Sequence, residues 1–255
     1  MATAIVRLYG GIGNQMYQYS FGKFLQKNGF NVLYDQSGLK DQNNRRKTSE
    51  LSFFFKNIKL LNREFGLLLW VLAKIGFIKT VKENKRLSFI DIKKYNVGKQ
   101  VLVFSGYWQN INYHVPKDLP WKNFQFSIPI KPYAAIHVRR GDYVDHPRFI
   151  CLTANYYNHI IEYIQSNYNY KIIIVSNDIN WAKDNLEGKD ISFFKSESAL
   201  NDWYILSQAK VLSIANSSFS LWAALYGNVN NVIQPERWLN DGSKTNWGKS
   251  LWLRK

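Results

Sequence analysis

Short apolar runs and one amphipathic stretch alternate along the first thirty-five residues. Thr3-Ala-Ile-Val-Arg-Leu-Tyr9 predicts a strand, Gly10-Gly-Ile-Gly-Asn-Gln15 a turn, Met16 to Asn28 a helix stopped at Gly29, and Phe30 to Asp35 a second strand. Residues 36–99 lean towards helix and show no obvious strand before Gln100-Val-Leu-Val-Phe104, so they read as an insertion in the first half. Pro116, Pro120, Pro129 and Pro132 then break the pattern within seventeen residues and place a domain boundary near residue 130.

The second half restarts with the apolar strand Tyr133-Ala-Ala-Ile-His-Val138 and the charged turn Arg139-Arg-Gly-Asp142. A helix over Asn155 to Tyr168, a buried parallel strand over Lys171 to Val175 and a helix over Ala199 to Ala209 follow. Next come a strand over Val211 to Ala215, a helix over Phe219 to Tyr226 and a strand over Val229 to Gln234. The expected architecture is two α/β units, residues 1–130 and 131–255, the first carrying the insertion at about 36–99. No internal repeat competes with it. Arg139, Arg140 and Asp142, then Ser176, Asn177 and Asp178, then Asn216, Ser217 and Ser218 all follow strands. Open α/β sheets bind ligands at the carboxyl ends of their strands, so these clusters predict one pocket in the second half.

Composition narrows the classes. With 46% apolar and 16% aromatic residues among 255, the chain can bury a proper core, which excludes disordered and collagen-like chains. The single cysteine, Cys151, excludes an intrachain disulfide and a cysteine-based zinc cluster. Met1 to Gly13 lacks the pattern of a signal peptide, and the apolar run Phe65 to Ala73 stops at Lys74, short of the roughly 20 residues that span a bilayer. The expectation is a protein that is neither exported nor membrane-spanning. The net charge is +16, and residues 40–99 alone contribute +10. That field attracts phosphates, anionic lipid or nucleic acid.

Arg139 and Arg140 can present planar forks to phosphate oxygens, or Arg139 to Asp142 can brace a turn. His137 is a ligand-side candidate or a core histidine. Asn216-Ser-Ser-Phe-Ser220 precedes a helix, where hydroxyls and free backbone N–H groups form an anion site or a simple cap. Gly10, Gly11 and Gly13 permit close backbone approach, but Met16 replaces the third glycine of a dinucleotide fingerprint, which excludes that reading. Asn14 and Gln15 would face the ligand from the helix N-terminus, or merely shape a tight turn. The four histidines lack metal-ligand spacing and no Asp-x-Asp pair occurs, so a metal-independent chemistry is expected. No nucleophile elbow or cysteine signature suggests a common hydrolase.

Five ordered motifs carry a resemblance. Gly10-Gly-Ile-Gly-Asn-Gln-Met-Tyr-Gln-Tyr19, Ser105-Gly-Tyr-Trp-Gln109, His137-Val-Arg-Arg-Gly-Asp-Tyr143, Val175-Ser-Asn-Asp178 and Asn216-Ser-Ser-Phe-Ser220 are similar to those of the α-1,2-fucosyltransferases of glycosyltransferase family 11. The resemblance runs from residue 5 to about residue 240. It implies a GT-B-like α/β fold, two Rossmann-like halves facing a cleft, with GDP-β-L-fucose held mainly by the second half and a glycan acceptor mainly by the first. It implies that Arg139 contacts the diphosphate, that His137 and Arg140 shape the donor site, and that Asp202 holds guanine. Ser217 and Ser218, with Asn216, would take phosphate oxygens, and Asn177, Asp178, Gly11, Gly13 and Asn14 are further nucleotide candidates. The implied activity is that of a metal-independent, inverting galactoside 2-α-L-fucosyltransferase without a cofactor. Asp142 is the candidate base, with Asp145 and His146 behind it, or else it locks the arginine pair.

Bacterial members of the family imply a cytoplasmic enzyme of O-antigen or lipopolysaccharide biosynthesis. Peripheral contact with the inner face of the plasma membrane would account for the basic segment, with Phe65 to Phe77 as a candidate anchoring helix or simply core, and lipid-linked glycans are among the acceptors. No helix-turn-helix, RNP or KH signature points to nucleic acid. The rivals are a GDP-fucose transferase of α-1,6 or O-protein type and a non-catalytic basic module that binds nucleic acid or glycan.

Overall fold

The computed structural model describes residues 1–40, 47–83, 90–113, 122, 132–194, 197–227 and 229–241. The chain divides into two compact units, Met1–Asn123 and Phe124–Lys255. The boundary expected near residue 130, with Pro116, Pro120 and Pro129, lies outside the described residues.

The first unit contains β1 (Thr3–Arg7), α1 (Ile12–Lys27), β2 (Asn31–Asp35), α2 (Leu51–Phe54), α3 (Arg63–Lys74), β3 (Lys79–Lys82) and β4 (Val101–Ser105). Its parallel sheet has the order β2-β1-β4-β3. Ile5 lies opposite Leu33 on one side and Val103 on the other, so β1 is central and buried on both faces. The helix after the glycine turn starts at Ile12, one turn earlier than Met16, because Gly10 at φ +68° reverses the chain and Gly11 caps it. Gly22 brings α1 against β2, where a β-carbon would collide with the Tyr34 hydroxyl. On the opposite face α3 packs Leu69 against Ile5 and Val103.

β3 was absent from the sequence reading. It is an edge strand in which Val81 alone is buried, and one buried side chain leaves no hydrophobic run to detect. The apolar stretch read as a helix over Phe65 to Phe77 is α3, and it buries only Gly66 and Leu69. Phe65, Leu68 and Val71 are exposed on it, as are Ile75 and Phe77 just beyond. Among the described residues no helix is long and apolar enough to cross a membrane.

The second unit runs β5 (Tyr133–Val138), α4 (Ala154–Asn167), β6 (Lys171–Ser176), α5 (Ile179–Asn185), β7 (Ile191–Phe193), α6 (Ala199–Gln208), β8 (Val211–Ser213), α7 (Ser218–Tyr226) and β9 (Asn231–Ile233). All pairings are parallel and the order is β7-β6-β5-β8-β9. This is doubly wound, with the topological switch between β5 and β8. Every residue of β5 is buried, and Ile136 and Val138 share a core with Ile172 and Ile174 of β6 and with Tyr157, Ile161 and Ile164 of α4. α5 and β7 were not foreseen, since seven and three residues are too few to display a period.

Candidate active site

The carboxyl ends of β5, β6 and β8 carry most of the expected site. β5 delivers Arg139 and Arg140, and a 3-10 turn over Gly141–Tyr143 follows. Gly141 sits at φ +55°, and a β-carbon there would lie 2.5 Å from Asn177 Nδ2, so the turn is built around a residue without a side chain.

The two arginines are held differently. Arg140 donates its backbone N–H to Asn177 Oδ1 at 2.9 Å, and its Nε lies 3.6 Å from Asp178 Oδ2. Its guanidinium carbon stands 3.8 Å from the centre of the Trp181 ring, and its other end donates to Cys151 Sγ at 3.5 Å. Arg139 pairs with the Asp142 carboxylate and lies 5.0 Å from the Tyr143 ring centre, while its backbone N–H donates to the Tyr157 hydroxyl at 3.3 Å. The Arg139 side chain is 27% exposed and that of Arg140 16%. Arg139 Nε and Arg140 Nε are both buried without a hydrogen-bond partner among the described residues, that of Arg140 standing 3.6 Å from the Asp178 carboxylate. The difference lies in the surroundings: the more exposed Arg139 fork pairs with a partly exposed turn carboxylate that an anionic ligand can replace, whereas Arg140 is packed between Trp181 and Asp178 as part of the frame behind it.

Asn177 and Asp178 stand at the end of β6 and serve that frame. Asp178 also caps α5 by accepting from Trp181 N at 3.3 Å, and its own N–H donates to Ser176 Oγ at 2.9 Å. At the end of β8, Asn216 Nδ2 donates to Ile150 O at 2.8 Å and Trp238 O at 3.0 Å, which fixes the loop entering α7. The Tyr143 hydroxyl donates to Asn216 O at 3.2 Å, linking the β5 and β8 ends. Ser217 is the N-cap of α7, accepting from Phe219 N at 3.3 Å, and Ser218 opens the helix. The first-turn amides and the positive end of the helix dipole therefore lie in the same strand-end region as Arg139.

His137, one residue before the end of β5, is buried with its ring 5.8 Å from that of Phe219. Burial, and after it the charge of Arg139, pushes its pKa down to about 3, so the imidazole is neutral. Asp202 lies in the first turn of α6, a helix capped by Ser198, and is half-buried. Asp145 adopts φ +57° in an exposed turn. His146 Nδ1 accepts from Arg148 N and Phe149 N at 3.1 and 3.3 Å, so it braces its loop.

Gly11, Gly13 and Asn14 belong to the first unit. Gly11 is the exposed cap of α1, and Asn14 Oδ1 accepts from Gln109 Nε2 at 3.0 Å. Gln15 does not face outward as expected. It is buried, donating to Gly10 O at 3.0 Å and accepting from Ser49 Oγ at 2.8 Å, because the helix turns that position towards the sheet. Gln18 was not singled out, yet it accepts from Tyr9 N at 2.9 Å and donates to Gly106 O at 3.2 Å, tying the ends of β1 and β4. The signal was an amide at a position flanked by Tyr17 and Tyr19 on a helix whose buried residues also include Gln15 and Ser20, polar groups that burial obliges to find partners.

The model of the family described as Glycosyl transferase family 11 matches residues 82–249. An Escherichia coli protein named alpha-1,2-colitosyltransferase is 28% identical, with 93% of each chain covered. The O-antigen biosynthesis glycosyltransferase WbnK of Escherichia coli is 26% identical over 96% of this chain and 98% of its own. Among solved structures, POFUT1 in complex with GDP-fucose is similar at a TM-score of 0.53 and 13% identity, covering 91% of this chain and 97% of that one. POFUT1 in complex with GDP gives 0.51 at 13% identity, covering 91% and 98%. These structures share the fold, a GT-B-type α/β architecture of Rossmann-like halves.

Proposed function

Because this chain belongs to glycosyltransferase family 11, we propose that it moves L-fucose from GDP-β-L-fucose to the 2-hydroxyl of a galactose-terminated glycan, inverting the anomeric carbon to give an α-1,2-fucoside. The observation that carries the reading is the partly exposed Arg139 fork, paired only with the turn carboxylate of Asp142, in the strand-end region where α7 begins.

The acceptor oxygen attacks the anomeric carbon while the bond to the β-phosphate oxygen breaks, and that electron pair leaves with GDP. Negative charge grows on the diphosphate, where Arg139 and the amides of Ser217 and Ser218 stabilise it without reorganising. Asn216 holds those amides in place, and Arg140, through Asn177, Asp178 and Trp181, keeps the β5 turn from collapsing. Asp202 accepts from the guanine edge. The diphosphate displaces Asp142 from Arg139, which frees that carboxylate to take the proton of the acceptor hydroxyl. Neutral His137 packs behind the donor seat and adds no charge to it.

The test is donor hydrolysis and transfer with GDP-fucose against a panel of galactosides, with and without chelator, for the wild type and Arg139→Ala, with linkage analysis of the product. Chelator-insensitive transfer to a 2-hydroxyl, abolished by the substitution in a folded protein, is the expected result. An α-1,6 or O-protein linkage would replace the acceptor reading, and undiminished activity of the variant would remove Arg139 from its role. The name of the 28% identical relative favours a second donor, the colitose analogue, which lacks the sugar 3-hydroxyl. Competition between the two GDP-sugars decides between them.

We place the enzyme in O-antigen assembly at the cytoplasmic face of the membrane, and the name of one relative, an O-antigen biosynthesis glycosyltransferase, supports the first part of that reading. The exposed Phe65, Leu68, Val71 and Ile75, within a basic segment, favour peripheral contact with anionic lipid over a core role. Flotation with anionic but not neutral liposomes, weakened by Phe65→Ser with Ile75→Ser, is expected. Equal recovery without lipid would end that reading.

A further inference from the structure

In the first unit an open cavity of about 700 Å³ lies over one face of the sheet, from β3 to the ends of β1 and β4, beside the end of α3. That is ample for a short oligosaccharide, within the range of small-molecule sites. Its floor is the face of the sheet that carries Val103, Ser105 and Arg7, and Lys82 enters from the edge strand, opposite Ser105 in register.

The lining has an uneven chemistry. It contains Arg7, Lys74, Lys79 and Lys82 and no carboxylate. Arg7 is neutralised from beneath by Asp35, its Nε 3.3 Å from Oδ2, and Gly66 lets α3 close over that pair. The three lysines make no ion pair with any described carboxylate. Lys74 Nζ instead stands 4.0 Å from the Trp70 ring centre, whereas Lys79 Nζ lies 5.1 Å from the ring of Tyr95, which is outside the cavity lining, so the Lys79 ammonium turns to the other face of the sheet. The Trp70 ring therefore holds the Lys74 ammonium at the cavity without cancelling its charge, and Lys82 brings a second ammonium from the edge strand.

The remaining surface suits a sugar. The Tyr9 hydroxyl shares a hydrogen bond of 2.9 Å with Ser105 Oγ, which fixes the phenol ring at the cavity wall. Phe77, 81% exposed, stands at the rim. Rings of this kind cover the C–H face of a pyranose, and the Ser105 and Thr80 hydroxyls reach sugar hydroxyls. A fully solvated basic patch would need neither the rings nor the concavity.

We propose that this cavity binds an acidic saccharide, its ring against Tyr9 and Phe77 and its carboxylate or phosphate between Lys74 and Lys82. The inference rests on the reading of the chain as a glycosyltransferase and names its acceptor class as a glycan carrying an anionic unit.

The experiment is saturation-transfer NMR and calorimetry on the full chain with four probes. These are a glucuronic acid-terminated disaccharide, galactose 1-phosphate, lactose and inorganic phosphate. At least one acidic sugar should bind about tenfold tighter than lactose, a difference that falls away at about 1 M salt, where the screening length is only about 3 Å. Lys74→Ala with Lys82→Ala, both exposed positions, should remove the preference with the thermal midpoint unchanged, and Phe77→Ala should weaken all the sugars alike. The better of the two acidic sugars identifies the anion. Equal binding of lactose, a preference that survives the lysine variant, or inorganic phosphate binding as tightly as either acidic sugar would each overturn the proposal. GDP-fucose turnover is measured alongside. Its absence with the preference intact would sink the donor reading while leaving this one standing.

Discussion

The guanidinium of Arg140 lies 3.8 Å above the ring of Trp181, with the Asp178 carboxylate beside its Nε. This arrangement ties the end of β5 to α5 and makes Arg140 part of the scaffold. Arg140→Lys keeps the charge but loses both the planar stack and the fork. It should destabilise the second unit by about 1–2 kcal/mol, read as a lower thermal midpoint that GDP only partly restores.

Arg139 should behave in the opposite way. Its side chain reaches solvent and pairs with an exposed carboxylate, a contact that contributes little to stability. Arg139→Ala should leave the midpoint within about 0.5 kcal/mol of wild type while reducing transfer by about 10²–10³-fold, in line with loss of one preorganised charge donor. A large loss of stability in this variant would exchange the roles of the two arginines.

Asp142 competes with the diphosphate for Arg139 and then accepts a proton, so its two contributions separate. Asp142→Asn should leave donor affinity unchanged or tighter, measured by GDP-fucose titration, and lower kcat by about 10²-fold. Weaker donor binding with an unchanged kcat would make Asp142 a positioning residue for Arg139 alone.

Protonation of His137 opposes folding. Its folded pKa of about 3 lies below the ordinary value of 6.5, so between those values the unfolded chain binds the proton and the folded chain does not. Stability from this group is intact above pH 6.5 and declines as the pH falls towards 3, by up to about 1.4 kcal/mol per pH unit. Urea midpoints measured at pH 7 and pH 5 should therefore differ more for the wild type than for His137→Asn. An equal pH dependence would show that another group carries it.

Much of the frame was legible because parallel strands buried on both faces appear as continuous apolar runs. Tyr133–Val138 and Lys171–Ser176 are of this kind. The turn glycines and the Asn216-Ser-Ser start of α7 were legible through backbone geometry and capping, which act within a few residues. β3 and β7 escaped because short edge strands carry too little apolar sequence. The exposure of α3 escaped for another reason. A helical period says which residues share a face, not whether anything covers that face.

By itself the sequence determined the two α/β units, the strand ends that carry arginine, aspartate and serine, and the excess of positive charge in residues 40–99. Only the tertiary structure decided what each of two adjacent, chemically identical guanidiniums does. Arg139 and Arg140 follow one strand in succession, so their side chains leave on opposite sides of the backbone. On one side the β5–β6 register brings Asn177, Asp178 and Trp181, distant in the chain, to capture Arg140. The other side offers Arg139 the carboxylate and the ring of its own turn, Asp142 and Tyr143, and leaves its side chain the more exposed of the two. The capture of Arg140 by residues of another strand and helix comes from pairing across the sheet, which no local pattern encodes.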